Sequence, residues 1–243
     1  CEKIAIEKIK HFVSKEAFNI DGFGKKIVEN FWHLKLIRFP QDIFKLNYNK
    51  IESLEGWGKL SVTNLKFSID QKKKISLDRF IYSLGVRHIG QENARLIARH
   101  LKTAINFYKL SDSKNTESLS NIDGIGTTQI QSIKKFFLNK TNLKVLVELE
   151  KNLEIENTVL MNDKGLLRNK TFMLTGKLNG VSRAEAKSLI EKNSGKIISN
   201  VNKKLDYLIA GEKATTKKVN TAKELNIKVI NQKELMEMLN KTS

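Results

Sequence analysis

The 243-residue sequence is short of cysteine, of acidic side chains and of long apolar runs, and each shortage excludes something. Its single cysteine, Cys1, rules out a disulfide within the chain and fits a reducing compartment. No apolar run approaches the roughly 18 to 20 residues that a membrane-spanning helix needs, and the first residues are amphipathic and charged rather than signal-like, so a cytoplasmic protein without a membrane is expected. No carboxylate pair has metal spacing, no nucleophile is matched with a base, and no Gly-x-Gly-x-x-Gly loop occurs, so the residues offer no catalytic centre. Glu52 and Glu55 read as solvated residues on a helix face. Asp and Glu number 26 against 44 Lys and Arg, a formal charge of +18. The excess is spread along the chain, with 30 basic against 19 acidic residues up to position 170 and 14 against 7 beyond it. Such a surface attracts polyanions without reading their sequence, and salt weakens the attraction.

What the sequence does contain is one short pattern written four times. An apolar residue is followed, after a skipped position, by a tripeptide ending in glycine, and apolar residues return four and seven places after that glycine. The copies are Ile20, Gly22-Phe23-Gly24, Val28, Phe31; Leu54, Gly56-Trp57-Gly58, Val62, Leu65; Val86, His88-Ile89-Gly90, Ala94, Ile97; and Ile122, Gly124-Ile125-Gly126, Ile130, Ile133. Their tripeptides start at 22, 56, 88 and 124, steps of 34, 32 and 36 residues. The trailing apolar spacing is one stripe of a helix, so each tripeptide delivers the chain into a helix N-terminus. Glycine suits such a turn because it accepts positive φ and lets another backbone approach. A helix N-terminus also leaves several N–H groups without internal partners, beside the positive end of the helix dipole. The large apolar middle residues, Phe23, Trp57, Ile89 and Ile125, are expected to plug the turns into the core.

These features resemble the helix-hairpin-helix family, whose turn amides hold nucleic-acid phosphates without reading bases. On that resemblance the expected contacts are the amides of Gly22, Gly24, Gly56, Gly58, Gly90, Gly124 and Gly126. Lys25, Lys26, Lys59, Arg87, Thr127 and Thr128 add charge or hydroxyls. The third copy departs from the pattern at His88. Histidine tolerates left-handed backbone better than most residues, but this copy is expected to serve packing more than phosphate.

The period changes after about residue 160. Residues 170–176 form a short apolar run closed by glycine, as in a buried parallel strand. Ser182 caps a helix, with Glu185 completing a capping box, and Ser194-Gly195 ends it. Strands follow at 196–199, 207–210 and 228–230, with helices at about 219–225 and 233–239, giving the order βαββαβα and a four-stranded parallel α/β layer. This order, with Thr175-Gly176 after the first strand and Tyr207-Leu208-Ile209-Ala210-Gly211 as the third, resembles a BRCT domain. That family commonly binds proteins. Where its members bind phosphate, a Ser or Thr after the first strand and a Lys at the start of the second helix hold it, places occupied here by Thr175 and Lys217. The tryptophan that many members carry in the last helix is absent. Met236 and Leu239 are expected to fill its space.

The whole chain, through residues 11–22, Leu84-Gly85-Val86-Arg87-His88-Ile89-Gly90 and Ala210-Gly211-Glu212-Lys213-Ala214, resembles the C-terminal part of a bacterial NAD-dependent DNA ligase. The implied fold is multi-domain. Residues 1–18 would be the remnant of a zinc module with its lead-in helix, and 19–160 an all-α helix-hairpin-helix domain with four motifs. A linker, 161–169, and a small α/β BRCT domain, 170–243, would follow. Cys1 stands ten residues before His11, as the last of four zinc-binding cysteines does in that family, and would be a fourth zinc ligand only in a longer parent. A chain opening on Cys rather than Met is expected to be a fragment. The family's adenylation chemistry, which uses NAD and magnesium on a Lys-x-Asp-Gly lysine, has no counterpart in these residues. The resemblance therefore implies binding of nicked duplex in replication and repair, a nucleoid-associated place in a bacterial cytoplasm, contacts with the other ligase domains, and no sealing by this chain alone. Two other functions share the same elements: a non-catalytic repair scaffold whose BRCT domain recruits a protein, and the specificity half of a structure-selective nuclease.

Overall fold

The computed structural model describes residues 2–158 and 165–240, and the chain divides into two compact units after Thr158. The first unit contains α1 (Glu2–Phe12), α2 (Lys25–His33), a 3-10 turn (Pro40–Lys45), α3 (Tyr48–Glu52), α4 (Lys59–Gln71), β1 (Lys74–Ser76), α5 (Leu77–Ser83), α6 (Gln91–Leu101), α7 (Ala104–Tyr108), two further 3-10 turns (Lys109–Ser111 and Ser113–Asn121), α8 (Thr127–Leu138), α9 (Lys140–Glu150) and β2 (Glu154–Glu156). No helix among the described residues is long and apolar enough to cross a membrane.

The helical stripes read from the sequence face one core. Val28, Phe31, Val62, Leu65, Ala94, Ile97 and Ile133 are all buried. Aromatic rings knit the hairpins to their neighbours: Phe12 stacks on Phe18 at 4.2 Å between centroids, Phe18 meets Phe44 at 5.6 Å, and Phe31 lies between Phe23 at 5.6 Å and Trp57 at 5.4 Å. Removing one such ring from water is worth about 1.5–3 kcal/mol, so each adds to the cohesion of the first two hairpins alongside the buried aliphatic residues. Two polar ties reach across the unit. Buried Arg79 of α5 donates from its guanidinium to the Ala17 carbonyl, and His11 Nε2 donates to the Tyr82 carbonyl at 2.7 Å.

The first unit departs from an all-α reading at one place. Helix α9 stops at Glu150, and β2 pairs in parallel with β1, Ile75 opposite Ile155. Lys74 lies 2.8 Å from Glu154 and 3.7 Å from Glu156, which raises its pKa through the hydrogen bond and charge of Glu154. A three-residue strand whose partner lies some eighty positions away leaves no periodic signal of its own.

The second unit contains β3 (Thr171–Thr175), α10 (Arg183–Lys192), β4 (Lys196–Ile197), β5 (Tyr207–Ala210), α11 (Thr216–Glu224), β6 (Lys228–Ile230) and α12 (Gln232–Asn240). Its sheet is all parallel in the order β4-β3-β5-β6. Separate apolar clusters lie around it, one including Phe172, Ile190, Ile209 and Leu235, the other Met173, Leu208 and Ala222. The capping box forms as read: the Glu185 amide donates to Ser182 Oγ at 3.1 Å, and the Ser182 amide to Glu185 Oε2 at 2.8 Å.

Four details differ from the sequence reading. Ser194, not Gly195, takes the left-handed conformation after α10, at φ 68°, while Gly195 is needed for space, since a Cβ there would stand 2.6 Å from Ile190 Cγ2. Helix α11 begins at Thr216, about three residues earlier than expected. In the stretch read as a linker, Leu167 is fully buried in the second unit and its amide donates to the Asn193 carbonyl at 2.9 Å; positions 161–164 lie outside the described residues. In α12 the core is filled by Leu235, with Met238 and Leu239 packed against it, whereas Met236 is only half-buried.

Candidate nucleic-acid interface

Each of the four tripeptides closes the same turn. The amides of Phe23, Trp57, Ile89 and Ile125 donate to the carbonyls of Ile20, Leu54, Val86 and Ile122 at 3.2, 3.1, 3.0 and 3.1 Å. The first position of each turn is left-handed: Gly22 at φ 74°, Gly56 at 80°, His88 at 63° and Gly124 at 89°. His88 therefore adopts the glycine conformation at a strain that residues with a Cβ rarely accept. Of the plugs, Phe23, Ile89 and Ile125 are buried, and Trp57 is half-buried against Phe31. The third hairpin has a full first helix, α5. The second uses the five-residue α3, the fourth a 3-10 turn, and the first the short turns at 14–18.

The last tripeptide position carries the most telling geometry. Gly24, Gly58 and Gly90 are the N-caps of α2, α4 and α6 at φ −77°, −107° and −82°, conformations open to any residue, and none has a side-chain acceptor on its helix end. A Cβ built on any of the three would touch nothing within 4 Å. The chain's own atoms thus give no reason for glycine, and Ser, Asn or Asp would cap these helices better. Glycine here leaves the N–H groups of the helix ends open to solvent.

The fourth hairpin differs. Gly126 caps α8, but its amide already donates to Gln129 Oε1 at 3.1 Å, so an anion there must displace a side chain or use the neighbouring Thr127 and Thr128. The repeat pattern alone does not separate this amide from the others, although a Gln three residues after a cap is the usual signature of such a bond. The glycines and the accessory residues Lys25, Lys26, Lys59, Arg87, Thr127 and Thr128 are all exposed, as are Glu52 and Glu55. His88 is exposed as well; the packing of this turn is done by Ile89. Hairpins three and four are drawn together by a groove of about 600 Å³ between residues 84–88 and α8, with Lys8 of α1 on its edge.

In the second unit, Thr175 bonds the N-cap of α11 and Lys217 lies in that helix's first turn. Thr175 is buried at 2 % exposure, and its Oγ1 accepts the amide of Thr215, the N-cap of α11, at 3.1 Å. Lys217, in the first turn of α11, is exposed. The hydroxyl thus fastens the helix to β3. Gly176 beside it is required by the fold: its φ is 81°, and a Cβ would stand 2.7 Å from the Glu212 carbonyl oxygen. Cys1 lies outside the described residues, and among the described residues no group of three or more His, Cys, Asp or Glu could hold a metal ion.

Comparison with known proteins agrees with both units. The family described as the BRCA1 C Terminus (BRCT) domain matches residues 162–239, and the helix-hairpin-helix motif family matches residues 79–146. A DNA ligase of Pelagibacter ubique (strain HTCC1062) is 82% identical over 242 residues, covering 100% of this chain and 36% of its own length. DNA ligases of Rickettsia bellii (strain OSU 85-389) and of Wolbachia pipientis subsp. Culex pipiens (strain wPip) are 39% and 40% identical, over 98% and 96% of the chain and 36% of their own lengths. The chain thus spans about a third of the length of the curated relatives it matches. The chain is similar along its whole length to one segment of these DNA ligases, and in it a helix-hairpin-helix region is followed by a BRCT domain.

Proposed function

We propose that this chain is the duplex-holding, C-terminal segment of an NAD-dependent DNA ligase, and that its hairpins grip nicked DNA through backbone phosphates while the rest of the enzyme joins the 3′-hydroxyl to the 5′-phosphate in replication and repair. The observation that carries the reading is the row of caps at Gly24, Gly58 and Gly90, where glycine is unforced by the fold and the helix ends lack a side-chain acceptor. Phosphate oxygens fit such ends because they supply acceptors and negative charge together. Contacts of this kind position a duplex without specifying its sequence, which suits an enzyme that must seal any nick. The relatives' shared name favours a ligase over a nuclease or a free-standing scaffold.

NAD and magnesium would act in the part of the parent enzyme outside the matched segment, and the segment alone would seal nothing. Zinc would involve Cys1 as a fourth ligand in the parent enzyme, and among the described residues no further group could hold it. The BRCT domain would offer a surface for a protein partner or for the other ligase domains. With Thr175 buried against Thr215, phosphate capture there would fall to Lys217 and the α11 end.

The test is titration of the full chain with nicked duplex at several salt concentrations. With about two phosphates held per hairpin, the log-log slope of affinity against salt is expected at roughly −5 to −7. A flat response would remove the hairpins from DNA.

A further inference from the structure

Resting on that reading, we infer that the third hairpin adds to its Gly90 cap a side-chain hold on the phosphodiester strand, in a groove that it shares with α1 and α8. The groove is about 600 Å³, and Lys8, Arg87 and Lys135 stand around it with His88, Thr127 and Thr128. These six are all exposed and come from three separate elements. No Asp or Glu lines the groove, and among the described residues none of the three cations forms an ion pair.

Some lysines of this unit are neutralised by the chain's own carboxylates. Lys10, two residues from Lys8 on the same helix, lies 2.7 Å from Glu7 and 2.6 Å from Glu29, and Lys73 lies 2.6 Å from Asp70. Three like charges left around one concavity repel one another and focus a positive potential into it, an arrangement that a polyanion relieves. Hydroxyls of Thr127 and Thr128 supply donors where Gln129 has already taken the Gly126 amide. His88, held at φ 63° in a place where glycine would be unstrained, presents a solvent-facing imidazole on the rim. Lys8 and Lys135 lie outside the hairpin turns, so the repeat pattern does not point to them.

The groove is tested by nicked-duplex titration of the full chain against KCl with Lys8→Ala/Lys135→Ala, Lys8→Arg/Lys135→Arg and His88→Gly. The alanine pair is expected to shallow the log-log slope by about two, one for each phosphate no longer neutralised, and the arginine pair to restore it, with unchanged thermal stability in both. His88→Gly is expected to weaken binding although it relieves the backbone. A steep parental slope that the alanine pair leaves unmoved overturns this inference while keeping the proposed function; a flat parental slope removes both. Tighter binding by His88→Gly would show that the imidazole does not help to hold the strand and overturn it equally.

Discussion

Glycine serves opposite ends in the two units. In the hairpins, Cβ atoms added at Gly24, Gly58 and Gly90, whose backbone any residue could adopt, would meet nothing within 4 Å. In the second unit a Cβ on Gly211 would lie 2.1 Å from the Lys177 carbonyl oxygen, and one on Gly176 would lie 2.7 Å from that of Glu212. The second set lets two segments of the chain touch: Lys177 and Glu212 exchange amide hydrogen bonds of 2.8 Å in both directions. The first set keeps a surface clear. Counting glycines cannot separate these uses, whereas asking what each missing side chain would strike does.

The largest expected effect follows from the closed set. Gly211→Ala forces a methyl into backbone that cannot move without opening the Lys177–Glu212 bridge, at a cost above about 3 kcal/mol. Calorimetry is expected to show the second unit's transition lost or lowered by more than ~10 °C. The first unit's transition should stay in place, because its apolar core is separate. Equal losses in both transitions would show that the glycines of the second unit support more than their own unit.

The open set makes a prediction of unusual sign. Gly58→Ser supplies α4 with the side-chain acceptor that it lacks and is expected to leave stability unchanged or raise it by a few tenths of a kcal/mol. The same hydroxyl covers the N–H groups that a phosphate would take. Affinity for nicked duplex is therefore expected to fall about tenfold, the equivalent of roughly one charge-assisted hydrogen bond. A variant that is both more stable and equally tight in binding would break the contrast between the two sets of glycines.

The repeat makes the hairpins legible in the sequence because a turn closed by its plug residue is a local object, with all its determinants within about a dozen residues. The βαββαβα order is legible for the same reason: strand, cap and helix each announce themselves within one window. Long-range pairing is not. Nothing near Glu154 signals that it will lie beside Lys74, and the burial of Thr175 under Thr215 depends on how α11 docks on β3. His88 shows a different limit. Its left-handed backbone follows from the repeat, but its exposure beside Lys8 and Lys135 comes from the packing of α1, the third hairpin and α8.

Charge divides as glycine does, and the paired lysines give the smallest effect. Glu148 of α9 accepts from Lys151 at 2.6 Å and from Lys45 of the Pro40–Lys45 turn, and these two ammonium groups, Lys151 first, hold its carboxyl down at about 2 against an ordinary 4.5. A carboxyl depressed on folding adds stability above its unfolded pKa and loses it as pH falls through the folded value. The window here is about pH 4.5 down to 2. The ion pairs are partly exposed, so solvent and salt screen them and the contribution is small. Glu148→Gln is expected to flatten the acid limb of the first unit's melting temperature slightly at low salt, with little difference at about 0.5 M KCl, and to leave DNA affinity alone. If it instead changed affinity as much as Lys8→Ala/Lys135→Ala, paired and unpaired lysines would not differ in what they do.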